Sequence, residues 1–372
     1  MSRTTEALVL HEYNTPFKLE QIKLDTLRPD EALVEIHATG VCHTDLKCAT
    51  GSMPAKAPAV FGHEGAGIVL ETGSDIQGIS PGDKVILSYS FCGTCDSCAN
   101  GDPAYCHGIV AYNFGGPRPG DGTHALSLAS DGTPLNGNFF GQSSFARHAI
   151  VHRSSLVKVP AETDLELFAP LGCGLQTGAG TVTNTLNVQP GSSFAVFGVG
   201  SVGLSALMAA KIRQASTIIA VDVHPARLEL ARKLGATHTV LASEDVVKRI
   251  REICPPLGVK YACDCTGIPS VVANMVDSLG IRGRACTVGS PGPGPRAAIE
   301  IAGMLQFGRE YTGCHQGGSI ANEMIPWLIE QHRQGNYPIE DLITYYNAED
   351  YERAIHETEE GKTIKAVLRW KA

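Results

Sequence analysis

The chain of 372 residues is 43% hydrophobic and 18% charged, the composition of an ordinary globular protein with room for two domains. Its formal charge of -8, with Lys and Arg interspersed among Asp and Glu, leaves no basic patch able to neutralise a run of phosphates, so nucleic acid is not an expected partner. The opening MSRTTEALVLHEY has neither a long apolar core nor a small-residue cleavage site, and no later stretch holds the roughly 20 apolar residues of a bilayer span, so a soluble cytoplasmic protein with no membrane partner is expected.

Residues 1 to about 110 contain short β-type runs such as ALVEIHA and GAGIVLET, broken by turn signals in GSDIQGISPGDKV, a pattern that predicts a β-rich module. Residues 107–141 are rich in Gly, Asn, Asp and Pro and lack apolar periodicity, which predicts a long loop holding at most one hairpin. From about residue 176 strands alternate with helical stretches: SSFAVFGVG, SVGLSALMAAKIR, TIIAVDV, ARLELARKLGA, HTVL. With YACDCTG and ACTVGS as further buried strands, residues 176–312 predict a doubly wound parallel sheet of α/β class. The tail from 313 holds the helical IANEMIPWLIEQHRQG and a strand-like IKAVLRW that would return to the first module. SPGPGPR at 290–296 is a turn or an exposed connection.

A dinucleotide turn is the first chemical signal. Gly198-Val-Gly200-Ser-Val202-Gly203 follows an apolar strand and opens an Ala/Leu-rich helix. The first glycine permits a tight turn, the second lets a pyrophosphate approach the backbone, and the third lets helix and strand pack closely. Asp222 closes the next strand nineteen residues after Gly203, where a carboxylate binds ribose hydroxyls and repels a 2′-phosphate; NAD is favoured over NADP. Arg227, five residues on, pulls the other way because a guanidinium there could meet a phosphate.

Twelve cysteines in a reducing compartment are metal ligands, nucleophiles or core residues rather than disulfides. Cys92, Cys95, Cys98 and Cys106 have the spacing of a lobe wrapped on a tetrahedral Cys₄ zinc, which leaves no position open for water and is therefore structural. Cys42 in GVCHTD, His63 in GHEGAG and Cys173 in GCGLQTG are candidates for a catalytic metal. Spacing alone cannot join them, since each also fits an ordinary core cysteine or a satisfied buried histidine. Cys48, Cys254, Cys263, Cys265, Cys286 and Cys314 are expected to pack.

GVCHTD, GHEGAG, the Cys92–Cys106 lobe, GCGLQTGAGTV and FGVGSVGL occur in one order, and with them the chain resembles zinc-containing medium-chain alcohol dehydrogenases from end to end. The resemblance implies a GroES-like catalytic domain over 1–175 with both zinc sites, a Rossmann coenzyme domain over 176–312, and a return to the catalytic domain over 313–372. It makes Cys42, His63 and Cys173 ligands of a catalytic zinc, with Glu64 beside it and a fourth position for water or substrate oxygen. Thr44 becomes the hydroxyl that takes the alcohol proton, Asp45 the carboxylate that orients His63, and His43 and Lys365 groups on the pyrophosphate. Where many relatives carry a relay histidine this chain has Lys47, so the proton leaves through the cofactor ribose, His43 or Lys47.

LSYSFCGTCDSC, NFGG at 113–116 and NFFGQSSFARHA are most similar to aryl-alcohol dehydrogenases of the benzyl-alcohol type. Tyr89, Phe114 and Phe140 are then the aromatic residues expected to line a pocket for a flat apolar alcohol or aldehyde. The resemblance also implies a homodimer or homotetramer joined through the coenzyme-domain sheets. A reductase of a specialised carbonyl or lactol would use the same groups. A nucleotide-binding structural protein, or a zinc-free quinone reductase, would not need the cysteine and histidine sets.

Overall fold

Polar residues alternate with apolar ones in the strand Lys18–Leu24, so Ile22 and Leu24 turn inward while Gln21 and Lys23 face water, the period-two pattern of a half-buried sheet. It lies in a five-stranded sheet ordered Ala59–Val60, Arg3–Leu10, Lys18–Leu24, Leu126–Leu128, Pro134–Leu135. A second sheet of seven strands is centred on Glu31–Gly40, which pairs antiparallel with Gly65–Thr72, with His148–His152 and with Lys365–Arg369. The C-terminal IKAVLRW thus closes onto the N-terminal module.

The computed structural model describes residues 3–243 and 245–370. They form two compact units, Met1–Cys173 with Ile320–Ile329 and Ile339–Ala372, and Gly174–Ser319 with Glu330–Pro338. The second unit begins two residues before the border placed after 175 and runs to Ser319 rather than 312. It also takes Glu330–Pro338, whose Tyr337 is wholly buried with its hydroxyl 2.6 Å from Ser205 Oγ.

Counted along the second unit, the strands Ser193–Phe197, Thr217–Asp222, His238–Leu241, Val259–Asp264, Leu279–Thr287 and Glu310–Gly313 lie in the order 3-2-1-4-5-6, all parallel. This is the doubly wound dinucleotide-binding order. Its inner strands are apolar almost throughout because helices cover both faces; Ala195, Phe197, Ile219, Val221, Met275 and Leu279 share one core.

The stretch 107–141 is more ordered than its composition suggests. It holds the helix Ile109–Phe114 and the expected hairpin, Leu126 opposite Leu135. Arg118, 4% exposed, ties the stretch down: it donates to Glu31 at 2.7 and 2.8 Å, to Asp25 at 2.6 Å and to the Thr26 carbonyl at 3.0 Å. A buried guanidinium persists only when its donors are met in this way. Among the described residues no helix is long and apolar enough to cross a membrane.

Candidate active site

Cys42 lies two residues past the strand Glu31–Gly40 and caps the helix His43–Ala49. Its backbone N–H donates to Asp45 Oδ2 at 2.9 Å, and Asp45 Oδ1 accepts from Gly62 N at 3.1 Å and lies 2.9 Å from His63 Nδ1. One wholly buried carboxylate therefore binds the backbone beside one candidate ligand and the ring of another, and fixes which nitrogen of His63 faces away. That nitrogen, Nε2, is buried and meets no hydrogen-bond criterion among the described residues, with the Cys42 sulfur near enough to act on the ring. Orphaned buried nitrogens are costly, and a ring nitrogen held in this way suits a metal ligand.

The ligand atoms of Cys42, His63, Glu64 and Cys173, distant in sequence, all lie within 4.8 Å of one another. A hydrogen bond from Cys173, with His63 and Lys365 nearby, holds the Cys42 thiol well below its ordinary range, and Cys173, which shares that proton, is held up. Burial opposes a charge on His63, yet Asp45 and Cys42 outweigh it and hold the ring above its ordinary value. Two thiols and an imidazole competing for protons in a buried site form a donor set that fits zinc.

Lys365 is not placed as the resemblance implies. It is 3% exposed and gives its ammonium to both oxygens of Glu64, at 3.0 and 2.9 Å, and to the Val41 carbonyl at 3.1 Å. Its three donors are met inside the first unit, which leaves none for a pyrophosphate. Burial raises the Glu64 carboxyl against the pull of Lys365, and the lysine is held above its ordinary value by Glu64. His43 is exposed, whereas Thr44 and Lys47 are half-buried.

The second cluster is the Cys92–Cys106 lobe. Sγ–Sγ distances of 3.5 Å (Cys92–Cys106), 3.6 Å (Cys95–Cys98), 3.9 Å (Cys92–Cys98) and 4.0 Å (Cys95–Cys106) bracket the roughly 3.8 Å edge of a tetrahedron with 2.3 Å Zn–S bonds. Backbone N–H groups of Thr94 and Cys95 point at Cys92, of His107 at Cys95, and of Cys92 and Gly108 at Cys106. The bonds from Thr94 and Cys95 bring Cys92 down to about 6, while burial pushes Cys98 up to about 12. Four thiolates cannot coexist here without a cation, which is the fit expected of a structural zinc.

Aromatic rings cover His63. Phe140 stacks on its imidazole, centroids 4.4 Å apart and planes at 24°, Phe139 meets it edge-on at 5.4 Å, and Phe114 contacts Phe140 at 5.1 Å. Of the three expected pocket residues the structure brings Phe114 and Phe140 together. Tyr89, 1% exposed, packs instead on Phe91, near enough to Cys98 and Cys106 to feel their charge. Phe139 and Gln142 were missed from sequence, since nothing in NFFGQSSF marks which side chains turn toward His63.

In the second unit, Gly198 has φ +87, the left-handed turn that glycine permits. A Cβ on Gly203 would fall 2.0 Å from the Gly198 carbonyl, whereas one on Gly200 would meet nothing within 4 Å, so the open side of the turn has room for a ligand. Gly200 caps the twelve-residue helix Ser201–Ile212 without a side-chain hydrogen bond, and half-buried Val202 lies in its first turn; such helix ends bind phosphate. Asp222 is buried and accepts from Val199 N at 2.8 Å and His224 N at 2.9 Å, which orders the turn; each oxygen keeps a lone pair for a further donor. Arg227 is half-buried, and its Nε has no hydrogen-bond partner among the described residues.

Residues 28–161 match the alcohol dehydrogenase GroES-like domain, and residues 201–331 the zinc-binding dehydrogenase domain. The chain is 37% identical to a geraniol dehydrogenase of Castellaniella defragrans, over 98% of this chain and 97% of that one. It superposes on a benzyl alcohol dehydrogenase of Acinetobacter calcoaceticus with TM-score 0.95 and 39% identity, covering 99% and 100% of the two chains. An alcohol dehydrogenase zinc-binding domain protein of Burkholderia ambifaria gives TM-score 0.97 and 45% identity over the whole of both chains. With its GroES-like and Rossmann domains, this chain belongs to the zinc-type alcohol dehydrogenases of the medium-chain dehydrogenase/reductase family, oxidoreductases acting on alcohols and aldehydes.

Proposed function

We propose that the protein is a zinc-dependent dehydrogenase that oxidises primary aromatic alcohols with NAD and reduces the corresponding aldehydes. The observation that carries this reading is the convergence of Cys42, His63 and Cys173 around a buried His63 nitrogen that meets no hydrogen-bond criterion among the described residues. These three side chains would hold the catalytic zinc, and Cys92, Cys95, Cys98 and Cys106 a structural one. Bound zinc supplies Lewis acidity toward an alcohol oxygen, and NAD the two-electron acceptor.

The chain's own groups do the rest. Asp45 fixes the ring of His63, and Thr44, two residues from Cys42, takes the alcohol proton. Glu64 and Lys365 form a paired charge beside the ligands. Phe114 and Phe140 offer an apolar wall suited to a flat ring, in keeping with the relatives named for benzyl alcohol and geraniol. Within the second unit Gly198, Gly200, Val202 and Gly203 receive the pyrophosphate and Asp222 the ribose.

Copies of the chain associate through the edge strand Glu310–Gly313, exposed along its whole length, since an uncovered edge invites strand pairing. The twelve cysteines fit a reducing, cytoplasmic setting.

The test is an initial-rate assay of zinc-loaded protein with NAD or NADP against benzyl-type, aliphatic and polyol alcohols, with metal analysis and Cys173→Ala as control. Two zincs per chain, and turnover of aromatic alcohols with NAD that disappears in Cys173→Ala, support the reading. Silence on every alcohol despite two bound zincs overturns it in favour of a carbonyl or lactol reductase, to be screened with NADH and NADPH.

A further inference from the structure

The turn at residues 138–145 grips the backbone that carries His63. Ser143 Oγ donates to the Val60 carbonyl at 2.7 Å, Phe145 N to the Phe61 carbonyl and Ser144 N to the Gly62 carbonyl, both at 2.9 Å. Gln142, with no exposed surface, completes the set. Its Oε1 accepts from Gly65 N at 3.0 Å, and its Nε2 donates to the carbonyls of His63 and Ser88, each at 3.0 Å. Ser88 Oγ in turn donates to the Gly172 carbonyl at 2.7 Å, next to Cys173. One buried amide thus ties the backbone of His63 and Gly65 to that of Ser88, whose own hydroxyl reaches the carbonyl that precedes Cys173.

The chemistry of the three partners is fixed, one N–H and two carbonyls, so only a primary amide of this reach satisfies all of them. Strain accompanies the arrangement. Phe140 and Ser143 are non-glycine residues with φ of 53 and 48, a conformation that costs about 1–3 kcal/mol and persists where the surroundings over-determine it. The same turn lays the Phe140 ring flat on the His63 imidazole.

We propose that Gln142 is a positioning residue of the metal centre: through backbone hydrogen bonds alone it sets the separation of His63 and Cys173, and with it the retention and geometry of the metal. This rests on the zinc reading above. The amide touches no ligand atom, so its influence passes through main-chain placement, and the four-cysteine lobe, which it does not contact, serves as an internal control.

The test uses Gln142→Met, close in volume but without the amide, and Gln142→Glu, which keeps the shape and loses both donors. Zinc release is followed by competition with a chromogenic chelator, and the thiolate-to-metal charge-transfer bands are recorded after cobalt(II) exchange. The expected result is zinc affinity roughly 10- to 100-fold weaker at one of two sites and displaced cobalt bands, with the lobe metal held as in wild type. Wild-type release and wild-type bands in both variants overturn the proposal and leave the zinc reading intact. A wild-type chain that binds only the lobe zinc overturns both. Should neither variant fold, Ser88→Ala removes the hydroxyl that reaches Gly172; a smaller change in the same direction is then expected, and no change overturns the proposal.

Discussion

Replacing Lys365 by Met would strip the ammonium from Glu64, a carboxylate with no exposed surface whose two oxygens both accept from the lysine. Two outcomes compete. A carboxylate left charged and unpaired costs about 3–5 kcal/mol. A carboxylate that takes up a proton at pH 7, about 2.5 units above its ordinary value of 4.5, costs about 3.4 kcal/mol at about 1.36 per unit. The cheaper route sets the ceiling, so the variant should lose about 3 kcal/mol at pH 7. The sign follows from linkage. With its partner gone, Glu64 has a folded-state pKa raised further above the unfolded value, so the folded protein binds more protons than the unfolded one and regains stability as pH falls. The deficit should shrink to about 1.4 kcal/mol at pH 5.5 and grow again through neutral pH. Trp327 and Trp370 both belong to the first unit, so urea unfolding followed by tryptophan fluorescence from pH 5.5 to 7.5 reads this site's unit directly. A deficit that does not change with pH would falsify the reasoning, as would a double variant Lys365→Met/Glu64→Gln no more stable than the single one.

Two further outcomes are expected. Asp45→Asn keeps the size of the group that holds His63 Nδ1 and the Cys42 N–H but removes its charge, so one of two zincs should bind roughly 10- to 100-fold more weakly while the lobe zinc stays; equal retention of both zincs in chelator competition argues against the role given to Asp45. Arg118→Met uncovers Glu31, whose carboxylate keeps, among the described residues, the Arg28 N–H as a partner. Because half-exposed Asp25 contributes little, the loss should lie near the lower end of about 3–5 kcal/mol in the same urea assay, and a change under about 1 kcal/mol means that the ion pair does not anchor the stretch 107–141.

The long loop and the C-terminal strand show where local sequence stops being informative. Residues 109–114 carry a Gly-flanked IVAYNF with no amphipathic period to announce a helix, and Asn113 stabilises it by bonding the Ser90 main chain, a partner twenty-three residues away. The lysine near the C-terminus is similar. As text, Lys365 is a basic residue at a family position or a solvated charge, and only the pairing of its strand with Glu31–Gly40 buries it against Glu64. Tyr89 and Phe140 are alike in sequence, two aromatic residues near glycines, yet one packs on Phe91 and the other on His63.

What the sequence by itself determined is whatever depends on neighbours in the chain. The glycine turn after an apolar strand, the acid that closes the next strand and the four cysteines of the lobe are local constellations whose geometry follows from backbone sterics and coordination chemistry. Tertiary structure alone decided what depends on residues far apart: the meeting of Cys42, His63 and Cys173, the burial of Lys365 on Glu64, and the grip of Gln142 on the main chain around them. Side chains brought together by sheet pairing carry no periodic signal in the text, because their separation is set by strand register and packing rather than by spacing along the chain.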